Sequence, residues 1–250
     1  MKIIAVIPAR YKSSRFEGKP LVDICGKLMI ERVYLQAKKV KEFDEVSVAT
    51  DDDKIYNACI ERNVKCIMTS TSHRTGTDRI GEVASKIPAD LYVNIQGDEP
   101  LIEPETIRKA IIPFIEGKAS DIKVTNLMTK INDPVDLINF TVPKVIAAED
   151  GRGVYLTRSA APFPKGNINA EYYKQVCVYG FTPEALEFYC EYGKKYGKSK
   201  IEAIEDIEIL RFIENGFRVQ YIEVNSETIA VDTPNDLERV RQYFIDNNIE

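Results

Sequence analysis

The chain has 250 residues, of which 44% are hydrophobic and 29% charged, so it is long enough to bury a sizeable core as one large soluble domain. A net charge of −5, from 34 Lys and Arg against 39 Asp and Glu, argues against a surface built to coat nucleic acid or anionic lipid. Five cysteines without a Cys-x-x-Cys pair argue against a disulfide framework and for reduced thiols in a cytoplasm, and the apolar start at Ile3 is too short for a signal peptide or a membrane span.

Ile3-Ile4-Ala5-Val6-Ile7 reads as a buried first strand, and the loop leaving it places Arg10, Lys12, Arg15 and Lys19 within ten residues. Small residues at Ala9, Ser13, Ser14 and Gly18 would let a polyphosphate approach the backbone amides while the cations supply charge. A solvated basic loop is the alternative, and the position at a strand's carboxyl end favours the ligand site. No Gly-x-x-x-x-Gly-Lys-Ser/Thr and no Gly-x-Gly-x-x-Gly occurs, which disfavours a kinase or a dehydrogenase.

Apolar runs then alternate with helix-period stretches, the pattern of parallel strands with crossover helices. Met29/Ile30, Val33, Tyr34, Ala37 and Val40 mark a helix, and Glu45 to Thr50 a strand that ends in the acidic turn Asp51-Asp52-Asp53. Ile55, Ala58 and Cys59 mark the next helix, Lys65 to Met68 a strand, and Thr69 to Thr77, which holds the only histidine, a loop. Ile80, Val83, Ala84 and Ile87 share a helical stripe, Leu91 to Gln96 is a strand ended by Gly97-Asp98-Glu99-Pro100, and a helix opens at Glu103-Pro104 with Ile107, Ala110, Ile111 and Phe114 inward.

Beyond Gly117 strands dominate: Ile122 to Leu127, Lys144 to Ala148, Val154 to Leu156 and Gln175 to Phe181, with a hairpin turn at Gly151-Arg-Gly153 and a loop from Pro162 to Asn169. The expected organisation is one domain over 1–250 carrying a mixed-sheet insertion at 118–182. Helices return at Pro183 to Lys195 and Ile204 to Asn215, with Gly216 as C-cap and Tyr192 to Lys200 as an exposed connector. Val219 to Val224 is a strand, and Asp232 to Asp236 caps a last helix whose Leu237, Val240 and Phe244 pack inward.

Asp98 ends a strand where a carboxylate can reach a metal, an Asx-turn being its structural alternative. Asp232 follows Ile229-Ala-Val231, read as a second strand end, and is equally a good N-cap before Thr233-Pro234. Magnesium takes one or two protein carboxylates and completes its shell with phosphate and water, so two acids facing a basic loop would satisfy it. Hydroxyl-rich backbone around Gly76 can donate to and accept from the polar edge of a ligand, with Arg79 anchoring the loop by an ion pair. The lone histidine, His73, suggests acid-base catalysis, but transfer at a polyphosphate depends mainly on positioning and charge neutralisation, which makes that the lesser reading.

The loop from Pro8 to Pro20 resembles the Pro-Ala-Arg-x-x-Ser-x-Arg-x-x-Gly-Lys-Pro signature of the CMP-Kdo synthetase (3-deoxy-manno-octulosonate cytidylyltransferase) family. Gln96 to Pro100 matches that family's Gln-Gly-Asp-Glu-Pro, Val231 to Glu238 its Val-Asp-Thr-Pro-x-Asp-Leu-Glu, and Ser72 to Arg79 is similar to its His-x-Ser-Gly-Thr-Asp/Glu-Arg. Further matches at Thr50-Asp51-Asp52, Tyr155 to Arg158, Tyr179 and Ser199 to Arg211 extend the resemblance over almost the whole chain.

The resemblance implies a Rossmann-like α/β fold with a mixed, mostly parallel sheet of the nucleotide-diphospho-sugar transferase type. It also implies a magnesium-dependent cytidylyltransferase that joins CTP to an acidic sugar, Kdo or Kdo-like, to give a CMP-sugar and pyrophosphate for lipopolysaccharide biosynthesis. Asp98 and Asp232 would hold the metal, and Arg10, Arg15, Lys19 and Asp98 would carry catalysis. Pro8, Ala9, Arg10, Lys19, Arg74, Thr75, Gly76 and Thr77 would bind the nucleotide. Arg15, Gln96, Arg158, Gln175, Tyr179, Glu208 and Ile209 would face the sugar, Arg158 by gripping its carboxylate with both nitrogens. A homodimer built partly on the insertion is implied, with no nucleic-acid or membrane partner. Three positions depart from the family: Gln175 stands for a sugar-side histidine, Ile209 for a glutamine, and Leu28 for a proline. The acceptor half has thus lost a titratable group and an amide, which points to a sugar acid other than Kdo or to Kdo held another way. Transfer to a different acid or phosphorylated acceptor, and nucleotide binding without turnover, are the alternatives.

Overall fold

The computed structural model describes residues 1–13, 16–117, 121–166, 169–226 and 229–249. The chain divides into two compact units, one of residues 1–108 with 226–250 and one of residues 109–225.

The first unit opens with β1 (Ile3–Ala9), whose uninterrupted Ile-Ile-Ala-Val-Ile run is buried on both faces, as a central parallel strand requires. A single 3-10 turn (Lys19–Leu21) and a hairpin of β2 (Asp23–Ile24) and β3 (Lys27–Leu28) follow. The hairpin turns on Cys25 and Gly26, both at positive φ. Then come α1 (Met29–Ala37), β4 (Glu45–Thr50), α2 (Asp53–Glu61), β5 (Cys66–Met68), α3 (Gly76–Lys86), β6 (Leu91–Ile95) and α4 (Pro104–Lys109). Asp52 caps α2 through the amides of Lys54 and Ile55, so the acidic turn after β4 is a helix start. β1 pairs in parallel with β4 on one side and with β6 on the other, and β4 pairs in parallel with β5. The chain therefore winds outward from β1 to β4 and β5, then crosses back to β6. That reversal at β1 is a topological switch point, beyond whose carboxyl ends a ligand is expected.

The C-terminal helix (Pro234–Asp246) belongs to this unit, and Leu237, Val240 and Phe244 bury against Ile24, Met29 and Val231. Its cap differs from expectation. Thr233, not Asp232, accepts the Asp236 amide, and the Asp236 carboxylate returns bonds to Thr233. That exchange leaves the Asp232 carboxylate out of the cap. Residues 229–231 are not a strand either; Val231 instead donates to the Asp98 carbonyl at 2.8 Å.

The second unit holds α5 (Ile112–Ile115), β7 (Val124–Lys130), α6 (Pro134–Ile138), β8 (Lys144–Ala147), β9 (Gly153–Thr157), β10 (Tyr173–Phe181), α7 (Pro183–Tyr196), α8 (Lys200–Glu205), α9 (Leu210–Glu214) and β11 (Val219–Glu223). β7 lies between β11, its parallel partner, and β10, its antiparallel one; β8 pairs antiparallel with β10 and β9. Between Val176 and Tyr179 the β10 register shifts against β7, a bulge.

Several boundaries differ from the sequence expectation. The helix opened at Pro104 stops at Lys109 and α5 restarts at Ile112; the intervening Ala110 carbonyl accepts Thr125 Oγ1 at 2.6 Å. Phe114, expected to face inward, is half-buried with its ring edge beside Gly180. The helix expected from Ile204 to Asn215 is two, because Asp206 takes a left-handed φ of 53° that ends α8. The stretch expected as a connector from Tyr192 is helical through Tyr196. Among the described residues no helix is long and apolar enough to cross a membrane.

At Gly180 the strands approach so closely that an added Cβ would stand 2.5 Å from Thr125 Oγ1, 2.8 Å from Phe114 Cε2 and 3.1 Å from the Ala110 carbonyl. Gly180→Ala is expected to cost about 1–3 kcal/mol, as overpacking does in a closed core, read as a lowered midpoint in urea unfolding. An unchanged midpoint would mean the neighbours yield without strain.

Candidate active site

The loop after β1 is held in place by its own backbone. Gly18, at φ 70°, donates its amide to the Tyr11 carbonyl at 2.9 Å, and an added Cβ there would meet the Tyr11 ring at 3.4 Å. Lys54 lies 4.1 Å above the same ring. The 3-10 turn then fixes Lys19 through Leu21 N–H donating to the Gly18 carbonyl at 2.8 Å. Pro8 and Ala9 end the strand, while Arg10, exposed, donates through Nη2 to the His73 carbonyl at 3.3 Å and so ties this loop to the Ser72–Arg79 segment. Arg15 lies outside the described residues.

Lys19 is where the two distant acids meet. Its Nζ stands 3.0 Å from Asp98 Oδ2 and 3.4 Å from Asp232 Oδ1, with all three side chains half-buried. The fold brings them together in two steps. β6 is the register neighbour of β1, so the turn carrying Asp98 leaves the sheet beside the loop carrying Lys19. The bond from Val231 N–H to the Asp98 carbonyl then hangs the Asp232 segment on that same turn, and the C-terminal helix anchors it through the apolar cluster around Met29. Lys19 thus faces both carboxylates at the switch point. Among the described residues no third His, Cys, Asp or Glu joins them in a metal cage.

In the neighbouring segment, the loop expected from Thr69 to Thr77 holds as far as Thr75, and its last two residues, Gly76 and Thr77, open a helix. Thr75 is the N-cap of α3, with its hydroxyl accepting the Asp78 amide and the Asp78 carboxylate accepting the Thr75 amide, so Gly76 and Thr77 lie in the first turn. Gly76 packs against Pro8, since a Cβ added to it would lie 3.4 Å from the proline ring, and Arg74 is exposed. The positive end of α3 is therefore adjacent to the end of β1, a placement that suits an anion. Arg79 is fully buried and pairs with Asp51 at 3.1 Å, which anchors the segment to the end of β4.

His73 is engaged structurally. Its Nε2 bonds Glu82, which also takes Lys86 Nζ at 2.6 Å and the Ser70 amide at 2.8 Å. Burial would raise the Glu82 pKa, but Lys86, the Ser70 amide and His73 outweigh it and draw the value down to about 2.

The acceptor-side residues fall in different units. Gln96 follows β6 in the first, and Arg158, Gln175, Tyr179, Glu208 and Ile209 lie in the second. Arg158 corrects the expectation of an open carboxylate grip. Nε donates to the Glu205 carbonyl at 2.5 Å, Nη1 to the Phe140 and Thr141 carbonyls at 3.1 and 3.4 Å, and Nη2 to the Asp206 carbonyl at 3.0 Å. A guanidinium has five N–H donors, so a bidentate hold on a sugar carboxylate would require some of these bonds to break. Ile209 is 1% exposed and is part of the apolar core of its unit. Tyr179 is buried with its ring stacked on Phe181 at 5.9 Å; burial, then the nearby Cys177 and Glu208, push its phenol well above the ordinary tyrosine range. Glu208 is half-buried.

Gln175 is oriented by a residue the sequence pattern does not single out. Asn126, buried in β7, donates through Nδ2 to the Val176 and Val178 carbonyls, both at 2.9 Å, and so fills the β10 bulge. Its remaining oxygen accepts Gln175 Nε2 at 2.8 Å. Glu205 is the second such residue, accepting from Tyr155, Thr157 and the Arg158 amide. The one signal for Asn126 is an amide side chain in the strand run Val124-Thr-Asn-Leu-Met128, every residue of which is buried.

Residues 4–229 match the family model described as Cytidylyltransferase. A curated relative from Fusobacterium nucleatum, named 3-deoxy-manno-octulosonate cytidylyltransferase, is 42% identical over the full length of both chains. Another of the same name from Geotalea uraniireducens is 41% identical over 96% of this chain and 98% of its own. A solved structure of CMP:2-keto-3-deoxy-manno-octonic acid synthetase complexed with CTP superposes with a TM-score of 0.90 at 36% identity, over 99% of this chain and all of that one. With a parallel sheet that reverses at β1, a basic loop at that point and a match of this length, the chain belongs to the cytidylyltransferase family, on the branch of the 3-deoxy-manno-octulosonate cytidylyltransferases.

Proposed function

We propose that the protein transfers the cytidylyl group of CTP to a hydroxyl of an acidic sugar, Kdo or a close analogue, with release of pyrophosphate. The observation that carries this reading is the meeting of Asp98 and Asp232 on Lys19 at the end of β1. The names of the relatives, and the CTP complex of the structural neighbour, support the choice of nucleotide and acceptor.

In the proposed reaction a sugar oxygen forms a bond to the α-phosphorus and the bond from that phosphorus to the bridging oxygen breaks. The hydroxyl proton passes to solvent and pyrophosphate leaves. Lys19 and Arg10 neutralise the triphosphate and the departing pyrophosphate, and Arg15 joins them by sequence position. The first turn of α3, with Thr75, Gly76 and Thr77, lies against Pro8 and offers backbone donors toward the nucleotide, flanked by the exposed Arg74. The carboxylate pair fits magnesium, because its oxygens already share the Lys19 ammonium and, among the described residues, no third acid closes the shell that phosphate and water would complete. Bound to Asp98 and Asp232, magnesium would polarise the α-phosphate and lower the pKa of the acceptor hydroxyl.

On the acceptor side, Gln175, Tyr179 and Glu208 of the second unit are the groups assigned to the sugar. Gln175 spends an N–H on Asn126, which leaves its carbonyl oxygen to accept from a sugar hydroxyl. A cytoplasmic homodimer completes the reading. Val135, Ile138, Phe140 and Phe163 in the second unit are exposed apolar side chains that a second copy would cover.

The test is pyrophosphate release with CTP, UTP or dTTP against a panel of sugar acids that includes Kdo. Release that needs both CTP and a sugar acid is expected. Tight CTP binding with no release on any acceptor would overturn the reading in favour of a nucleotide-binding regulator.

A further inference from the structure

We propose that Lys19 is the resident cation of the carboxylate pair in the nucleotide-free protein, so that the divalent metal enters only by expelling it, and enters readily only together with a polyphosphate. The inference rests on the reading above that Asp98 and Asp232 hold the metal, and it assigns Lys19 a positioning role distinct from neutralising phosphate.

Among the described residues, Lys19 is the cation placed on both acids. Lys19 Nζ is 3.0 Å from Asp98 Oδ2 and 3.4 Å from Asp232 Oδ1. A magnesium ion bound to the same oxygens sits about 2.0–2.1 Å from each, within a few ångströms of that ammonium position. At such a separation a unit charge and a double charge repel strongly in the half-buried site, so the two cannot share the pair. The backbone restricts any compromise. The Leu21 amide bonded to the Gly18 carbonyl at 2.8 Å fixes the turn that carries Lys19. The Val231 amide bonded to the Asp98 carbonyl at 2.8 Å likewise holds the two acid-bearing segments together. What can move is the four-carbon Lys19 side chain.

An expelled ammonium beside a divalent cation needs an anion. The triphosphate supplies it, since it would lie over the same loop and take Lys19 as a new partner. Metal and nucleotide therefore bind with positive coupling, each improving the site for the other. Without nucleotide, Lys19 keeps the acids neutralised and the metal weakly held.

Manganese is the probe, with its binding to the nucleotide-free protein read from the free-ion paramagnetic resonance signal. Lys19→Met is expected to tighten manganese binding by about tenfold or more, because the competing cation is gone, while Lys19→Arg stays as weak as the parent protein. In the unaltered protein, manganese at saturating concentration should raise the acetylation rate of Lys19 severalfold, as read by mass spectrometry of the labelled peptide. That second measurement decides the matter if Lys19→Met does not fold. Manganese affinity unchanged or weakened in a folded Lys19→Met, or a Lys19 labelling rate indifferent to bound manganese, overturns the inference. Manganese binding that ignores Asp98→Asn and Asp232→Asn would instead overturn the metal reading beneath it.

Discussion

Asp98→Asn is expected to lower the rate of cytidylyl transfer by about three orders of magnitude and to leave the melting temperature nearly unchanged. The amide keeps the shape of the side chain but removes the negative charge that faces Lys19, and with it the charge available to a metal. Half-buried acids paired to a mobile ammonium contribute little to folding, about 1 kcal/mol or less, so the loss should fall on chemistry and not on stability. The backbone carbonyl of residue 98, which accepts the Val231 amide, survives the substitution, and the Asp232 segment stays in place. Asp232→Asn should act in the same direction. The measurement is acceptor-dependent pyrophosphate release beside a thermal melt. An Asp98→Asn protein that keeps more than about a tenth of parental turnover would remove this carboxylate from the mechanism.

How far the site could be read from sequence depends on what each residue needs for its place. The β1 run and the cationic loop are local features, and the structure keeps both where the pattern puts them, with Arg15 beyond the described residues. The partnership of Asp98 with Asp232 is tertiary. Each was legible as an acid after an apolar run, but the link between them is one amide bond from a segment that is not a strand. The same limit explains Arg158, which the resemblance places at a sugar carboxylate while the fold surrounds its guanidinium with backbone carbonyls from Phe140, Thr141, Glu205 and Asp206. Helical period over Ile204 to Asn215 is real as well, yet a left-handed Asp206 divides it, a conformation that Asp enters only occasionally and that the apolar period does not mark. Asn126 is the plainest case: a bulge in one strand is satisfied by an amide from the next, and neither strand's sequence announces the pairing.

The largest stability effect should come from the second unit, at the pair that closes the divided helix. Arg211 is 2% exposed and bonds Glu202 twice, Nε to Oε2 and Nη2 to Oε1, each at 2.7 Å. Nη1 donates to the Tyr189 carbonyl at 2.9 Å, and the guanidinium lies 3.6 Å from the centroid of the Tyr189 ring. Glu202 also accepts the Ser199 amide at 2.9 Å, as the third residue of the capping box that starts α8. The pair therefore joins α8 to α9 on either side of Asp206, next to the stretch that carries Glu208 and Ile209. Glu202→Gln leaves a buried guanidinium without its countercharge, and Arg211→Met leaves a buried carboxylate. Each is expected to destabilise by about 3–5 kcal/mol, seen as a fall of roughly 10 °C in the melting temperature. The double replacement Glu202→Leu with Arg211→Met should cost clearly less than the sum of the single losses, because no isolated charge remains to be desolvated. Additive losses in urea unfolding would show that the two groups act independently, and that the fold between α8 and α9 is fixed by the aromatic stack of Tyr189 and Phe212 in place of this ion pair.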